Sequence, residues 1–223
     1  MIAHQVAGKA TRDALFLSHF DVSNLPKVVI AAAIISLMGV LVISRLLARY
    51  GPAKLIPLTF TVSAVLFIGE WMLFGIRPDI AAVVLYLHMA VFGAVLISGF
   101  WSVINERFNP HAAKRRIARI AAAATLGGIV GGIVAERVTT LVDVRAMLLV
   151  LSFLHVICAL SVFGVGPAGR SGQTQAPPEV RSGFSTLRRT PYLRWMGLLM
   201  LLVALAAAFL DYAFKAEASA RYT

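Results

Sequence analysis

The stretch AMLLVLSFLHVICALSVFGVG, Ala146–Gly166, carries no aspartate, glutamate, lysine or arginine from end to end. Its length matches the roughly 20 residues a helix needs to cross the hydrocarbon core of a bilayer. Five more stretches read the same way: Val28–Ala48, Leu55–Gly75, Ile80–Ile104, Ile117–Val138 and Leu193–Leu210. Hydrocarbon offers the backbone no water to bond, so such segments must satisfy their N–H and C=O groups internally, as helices. The alternating signature of a membrane β-barrel, about ten residues per strand, is not present in the sequence. The chain reads as an all-α integral membrane protein.

Composition agrees. Of the 223 residues 59% are hydrophobic and only 14% charged, and the mean hydropathy is +0.83; a soluble domain carries about 25% charged residues. The formal net charge of +11 could suggest nucleic acid, but the basic residues are sorted by loop rather than along one face, and no nucleic-acid partner is expected. Of the 21 Lys and Arg, 13 lie in or at the edges of the links after the first, third and fifth spans: Arg45, Arg49 and Lys54; then Arg107, Lys114, Arg115, Arg116 and Arg119; then Arg170, Arg181, Arg188, Arg189 and Arg194. The positive-inside rule places that side in the cytoplasm. Cys158 is the single cysteine and lies within a span, so no intrachain disulfide can form.

This orientation sends the first full span from outside to inside and leaves residues 1–27 outside or in the outer leaflet. The segment is no signal peptide, because Gly8-Lys9-Ala10-Thr11-Arg12-Asp13 sits where an apolar core belongs. Ala14–Phe20 reads as the last turns of a helix closed by Asp21 and Pro26, which implies that most of an earlier helix lies upstream of Met1. The other reading is a short, hydrated, translocated tail. Pro167–Thr190 is rich in Gly, Pro, Ser, Gln and Arg and reads as a linker. The expected organisation is an N-terminal transmembrane bundle over 1–166 with a shortened first helix, a cytoplasmic linker over 167–192, and one more helix over 193–223. Two six-helix bundles joined by a long cytoplasmic loop make the major facilitator architecture, and the chain resembles its N-terminal half plus the first helix of the second.

Polar groups within a membrane are expensive, and each needs an account. Lys9, Arg12 and Asp13 form one group. Lys9 and Asp13 stand one helical turn apart with Arg12 beside them, and in an apolar helix such cations would meet an anionic solute. Asn105-Glu106, at the cytoplasmic end of the third span, is either a cavity-facing acid or a hydrated helix end. Asp211 and Lys215 are spaced i, i+4 and can pair, either as a switch between transport states or as an interfacial salt bridge. Glu70 is expected to reach the outer interface. His88 and His155 could relay protons, although a lone membrane histidine more often bonds a neighbouring helix. Gly127, Gly128, Gly131 and Gly132 give two overlapping small-xxx-small patterns, a face for close helix packing. No phosphate loop, nucleophile elbow or His/Cys metal cluster is present in the sequence. No enzymatic activity, catalytic residue, cofactor or metal is expected.

Three stretches resemble the ATP/ADP translocase (nucleotide transporter) family, a branch of the major facilitator group. Lys9-Ala-Thr-Arg-Asp-Ala-Leu15 with Asn24-Leu-Pro-Lys-Val28 is similar to that family's basic-x-x-Lys-Asp run, with Arg12 in place of Lys. Phe100-Trp-Ser-Val-Ile-Asn-Glu106 followed by Ala113-Lys-Arg115 is similar to its F-W-x-x-x-N-E and A-K-R. Leu210-Asp-Tyr-Ala-Phe-Lys215 resembles its seventh-helix run, with Asp211 in place of Glu. The resemblance implies a bilayer-embedded exchanger of anionic solutes such as ATP and ADP. In it, Lys9, Arg12, Asp13, Glu106, Asp211 and Lys215 face substrate, and the plasma (inner) membrane of a bacterium is the expected location. The same residues leave open a proton-coupled exporter of small molecules, resting on His88, His155 and Glu70, or a sensor or scaffold that does not transport.

Overall fold

The computed structural model describes residues 1–107, 110–164 and 190–222, leaving aside the side chains of 105–107, 110–116, 163–164 and 222. Among the described residues seven helices follow in order: α1 Ile2–Leu17, α2 Leu25–Tyr50, α3 Pro52–Phe74, α4 Pro78–Arg107, α5 Pro110–Leu141, α6 Met147–Gly164 and α7 Pro191–Tyr222. Short 3-10 turns, Val22–Asn24 and Val144–Ala146, lead into α2 and α6. Six of these described helices are long and apolar enough to cross a membrane, all but α1. The chain divides into two units, Met1–Gly169 and Arg170–Thr223, the second containing α7.

The punctuation of the helices follows from the sequence. Four of them begin on proline, at 52, 78, 110 and 191, and α2 has Pro26 in its first turn. Proline's fixed φ suits the first turn, where its missing N–H costs nothing. Gly51 alone joins α2 to α3, at φ 74 and ψ 152, a region open to glycine and hardly to any other residue. Its N–H closes α2 on the Leu47 carbonyl at 2.9 Å. Before α2, the Asp21 carboxylate accepts the Ser23 N–H at 2.8 Å. Hydrogen bonding from Ser23 holds that carboxyl below its ordinary range.

In the first unit, α1 packs on α4, α5 and α6, α3 on α4 and α6, and α2 on α4. Lipid is as apolar as leucine, so close fit and interhelical hydrogen bonds hold such a bundle, not burial of oil from water. The close fit shows at glycines: a Cβ on Gly8 would meet Met89, one on Gly39 would meet Val91, and one on Gly99 would meet Ile56. Polar staples join the elements. Ser152 on α6 donates to the Ala64 carbonyl of α3 at 2.8 Å. Arg145 donates through Nε and Nη2 to the Trp71 carbonyl at 3.1 and 2.8 Å, with its guanidinium over the Trp71 ring. That carbonyl lies in the last turn of α3, where helices leave acceptors unpaired and favour cations. The outward faces stay apolar: Ile30, Ile34, Leu37, Met38 and Leu41 on α2 are exposed, as lipid requires.

The N-terminal segment is not a hydrated tail. It is helical from Ile2 to Leu17, with His4, Ala7, Gly8, Thr11, Leu15 and Phe16 buried. These positions fall on one stripe of a 3.6-residue helix. The helix begins well before Ala14, where sequence pattern placed its last turns.

Candidate polar sites within the bundle

Three groups of polar residues lie on these helices. The first is on α1. Arg12 Nε and Nη2 both donate to Asp13 Oδ1, at 2.8 and 2.7 Å, and the guanidinium lies 4.1 Å above the centre of the Tyr86 ring of α4. The two side chains are only 14% and 13% exposed. A guanidinium pinned between a carboxylate and an aromatic face is oriented before any ligand arrives, and such stacking suits arginine better than lysine. Lys9 stands one turn earlier and is exposed.

The second group is in the core of the first unit, and sequence pattern found only part of it. Glu70 does not reach the outer interface. It is 4% exposed, and its Oε1 meets His88 Nδ1 at 2.8 Å. The reason is geometric: Ile56, Phe60, Ser63, Phe67, Glu70 and Phe74 fall on one stripe of α3, all of it buried against α4 and α6. His88 Nε2 meets Ser63 Oγ at 2.8 Å, so one imidazole of α4 bridges two side chains of α3. His155 behaves otherwise. Its ring stacks on His4 of α1, with centroids 3.8 Å apart and an interplanar angle of 26°. All four ring nitrogens of that stack are buried without a hydrogen-bond partner among the described residues, as is Glu70 Oε2. A small pocket with room for about one water is lined by His4, His155, Ser63, His88 and Gln5 among others. His4, Ser63 and Gln5 were not singled out by sequence. For His4 a signal existed, since the helical stripe through Ala7, Thr11 and Leu15 passes through it.

The third group is on α7, described within its own unit. Lys215 Nζ donates to Asp211 Oδ2 at 2.5 Å across one turn. Glu106 lies on α4, but its side chain is outside the described residues, as is most of the linker expected at 167–192. Among the described residues no group of His, Cys, Asp or Glu has the arrangement of a metal site.

The glycine face of α5 meets α1 unevenly. A Cβ on Gly131 would lie 2.3 Å from the Ala3 carbonyl oxygen and 2.8 Å from its Cα, an overlap with backbone that cannot yield. Gly127 and Gly128 would make ordinary contacts with Ala3 and Val6, at 3.4 and 3.9 Å, and Gly132 would meet nothing within 4 Å.

Comparison with known proteins adds a family. No curated protein and no solved structure matches the chain. The model of the Major Facilitator Superfamily matches residues 14–216, spanning α2 to α6 and most of α7. With helices alone and six of membrane length among the described residues, this chain is an integral, multi-pass membrane protein that belongs to the Major Facilitator Superfamily, a family of transporters.

Proposed function

We propose that this transporter exchanges a small anionic solute across the plasma membrane of a bacterium by alternating access, with ATP and ADP as the specific pair. The observation that carries the reading is Arg12. A guanidinium only 14% exposed, within an apolar bundle and already oriented by Asp13 and Tyr86, is the group that a phosphate or carboxylate recognises best. Its hydrogen bonds go to a single carboxylate oxygen of Asp13, which an incoming anion can replace while the Tyr86 ring still covers the cation. Lys9, exposed one turn away, adds a second positive charge. The three motifs that resemble nucleotide transporters support the choice of solute. In this reading Asp13 guards the empty site, and Glu106 and Asp211 exchange cationic partners between states, with Lys215 as the partner of Asp211.

Labelled ATP uptake by the protein expressed from its full gene, with excess unlabelled ADP on the other side, tests the role of Arg12. Arg12→Lys should retain uptake, because charge is what the solute reads. Arg12→Ala should lose about tenfold or more, since a charge-assisted hydrogen bond is worth roughly 1.5–3 kcal/mol. Full exchange by Arg12→Ala removes this residue from the site.

A further inference from the structure

The buried histidines lie apart from Arg12 and sit where four helices meet. His4 comes from α1, Ser63 and Glu70 from α3, His88 from α4 and His155 from α6. Phe67 of α3 stands among the three imidazoles, with ring centroids 5.5 Å from His4, 4.6 Å from His88 and 5.3 Å from His155. Phe60 meets the His155 ring edge-on at 5.3 Å.

Purely structural polar groups in a membrane core are satisfied by their neighbours. Here the satisfied and unsatisfied atoms divide in an informative way. Glu70 Oε1, His88 and Ser63 form a bonded chain. Glu70 Oε2 and the four nitrogens of the His4–His155 stack have no partner among the described residues. The water-sized pocket touches both His88 with Ser63 and the His4–His155 stack. The cluster therefore holds titratable groups, open lone pairs and a space for about one water beside both His88 with Ser63 and the His4–His155 stack.

We propose that Glu70, His88, His4 and His155 form one proton-binding site within the bundle, with Ser63 and the pocket linking its two halves. Its capacity is one proton. In a medium of low dielectric a buried charge must be balanced, and Glu70 is the acid of the cluster. Two stacked imidazoles 3.8 Å apart cannot both be cations without strong repulsion. The charged and titratable groups that face the stack are His88 from α4 and the amino group of Met1, with Glu70 from α3 held on the Nδ1 of His88; α5 approaches α1 with Gly127, Gly128 and Gly131. One proton delivered by hydronium breaks an O–H bond there, leaves water behind, forms one N–H or O–H bond in the cluster and raises its charge by one. Because the ligands of that proton come from α1, α3, α4 and α6, its presence changes contacts between all four. Proton binding by the cluster does not depend on which solute is carried, and no solute is needed to measure it.

Nitrogen-15 NMR of the full-length protein, labelled at histidine and held in lipid nanodiscs, reads the protonation state of each imidazole against pH. His4, His88 and His155 are expected to titrate as one coupled step, as strongly interacting groups do. Glu70→Gln should displace that step at all three by about one pH unit or more. The signals of His19, which is exposed and outside the cluster, should be the same in the two proteins. His155→Phe keeps the stacked ring without its nitrogens, and it should displace the titration of His88 in a protein whose fold is intact. Three independent titrations overturn the proposal. So does a set of imidazoles that keep one protonation state up to the limits of folding, or a His88 indifferent to both variants.

Discussion

Glu70→Ala is expected to cost the bundle about 3 kcal/mol or more. The change removes one partner of a pair that is 4% exposed on each side, and His88 is left in the core with only Ser63. A hydrogen bond between membrane helices is by itself worth about 0.6 kcal/mol on average. The rest of the loss comes from stranding the second group and from the space vacated among Phe67, His88 and Phe74. Unfolding of the purified protein in mixed micelles measures the difference. Glu70→Gln keeps the volume and one bond to His88 and should cost much less. A loss of only about 0.6 kcal/mol for the alanine variant would mean that the pair is an ordinary neutral hydrogen bond, without buried charge.

Gly131→Val is the second large effect. The first atom of any side chain there falls 2.3 Å from the Ala3 carbonyl oxygen. What it meets is backbone, so no rotamer change relieves the overlap, and α1 and α5 must separate. Overpacking of a well-fitted core costs about 1–3 kcal/mol, occasionally more, and the upper end is expected. The same substitution at Gly132, where a Cβ meets nothing within 4 Å, should leave the unfolding midpoint unchanged within error. Equal effects at the two positions would contradict the packing of α1 on α5.

The fold was largely legible because bilayer physics leaves a sequence few options. Uninterrupted apolar runs between prolines must be helices, and the six full-length runs are six of the seven helices. The shorter α1 was harder. Its polar face, Lys9 with Arg12 and Asp13, breaks the apolar run, and only the stripe His4, Ala7, Thr11 and Leu15 betrays a buried side. Local pairings were also legible. Asp211 and Lys215 are one turn apart, and helix geometry makes them neighbours whatever else surrounds them. The polar core was not legible, because its members lie far apart in the chain. Glu70 looked interfacial when its distance from the helix end was counted along the axis. Its angular position, in line with Phe60, Phe67 and Phe74, was the better guide. That His155 would find His4 rather than a hydrogen-bond partner depends on how α1 and α6 cross, which periodicity along one helix does not encode.

The solute remains the centre of the account, and counter-exchange tests it most directly. Liposomes carrying the full-length protein are loaded with ADP or left empty, and labelled ATP is added outside. Uptake that requires internal ADP, is blocked by other nucleotides in excess and falls about tenfold in Arg12→Ala is the expected result. No uptake beyond that of protein-free liposomes, by protein shown to be folded, would contradict nucleotide exchange and leave a major facilitator whose solute is of another kind.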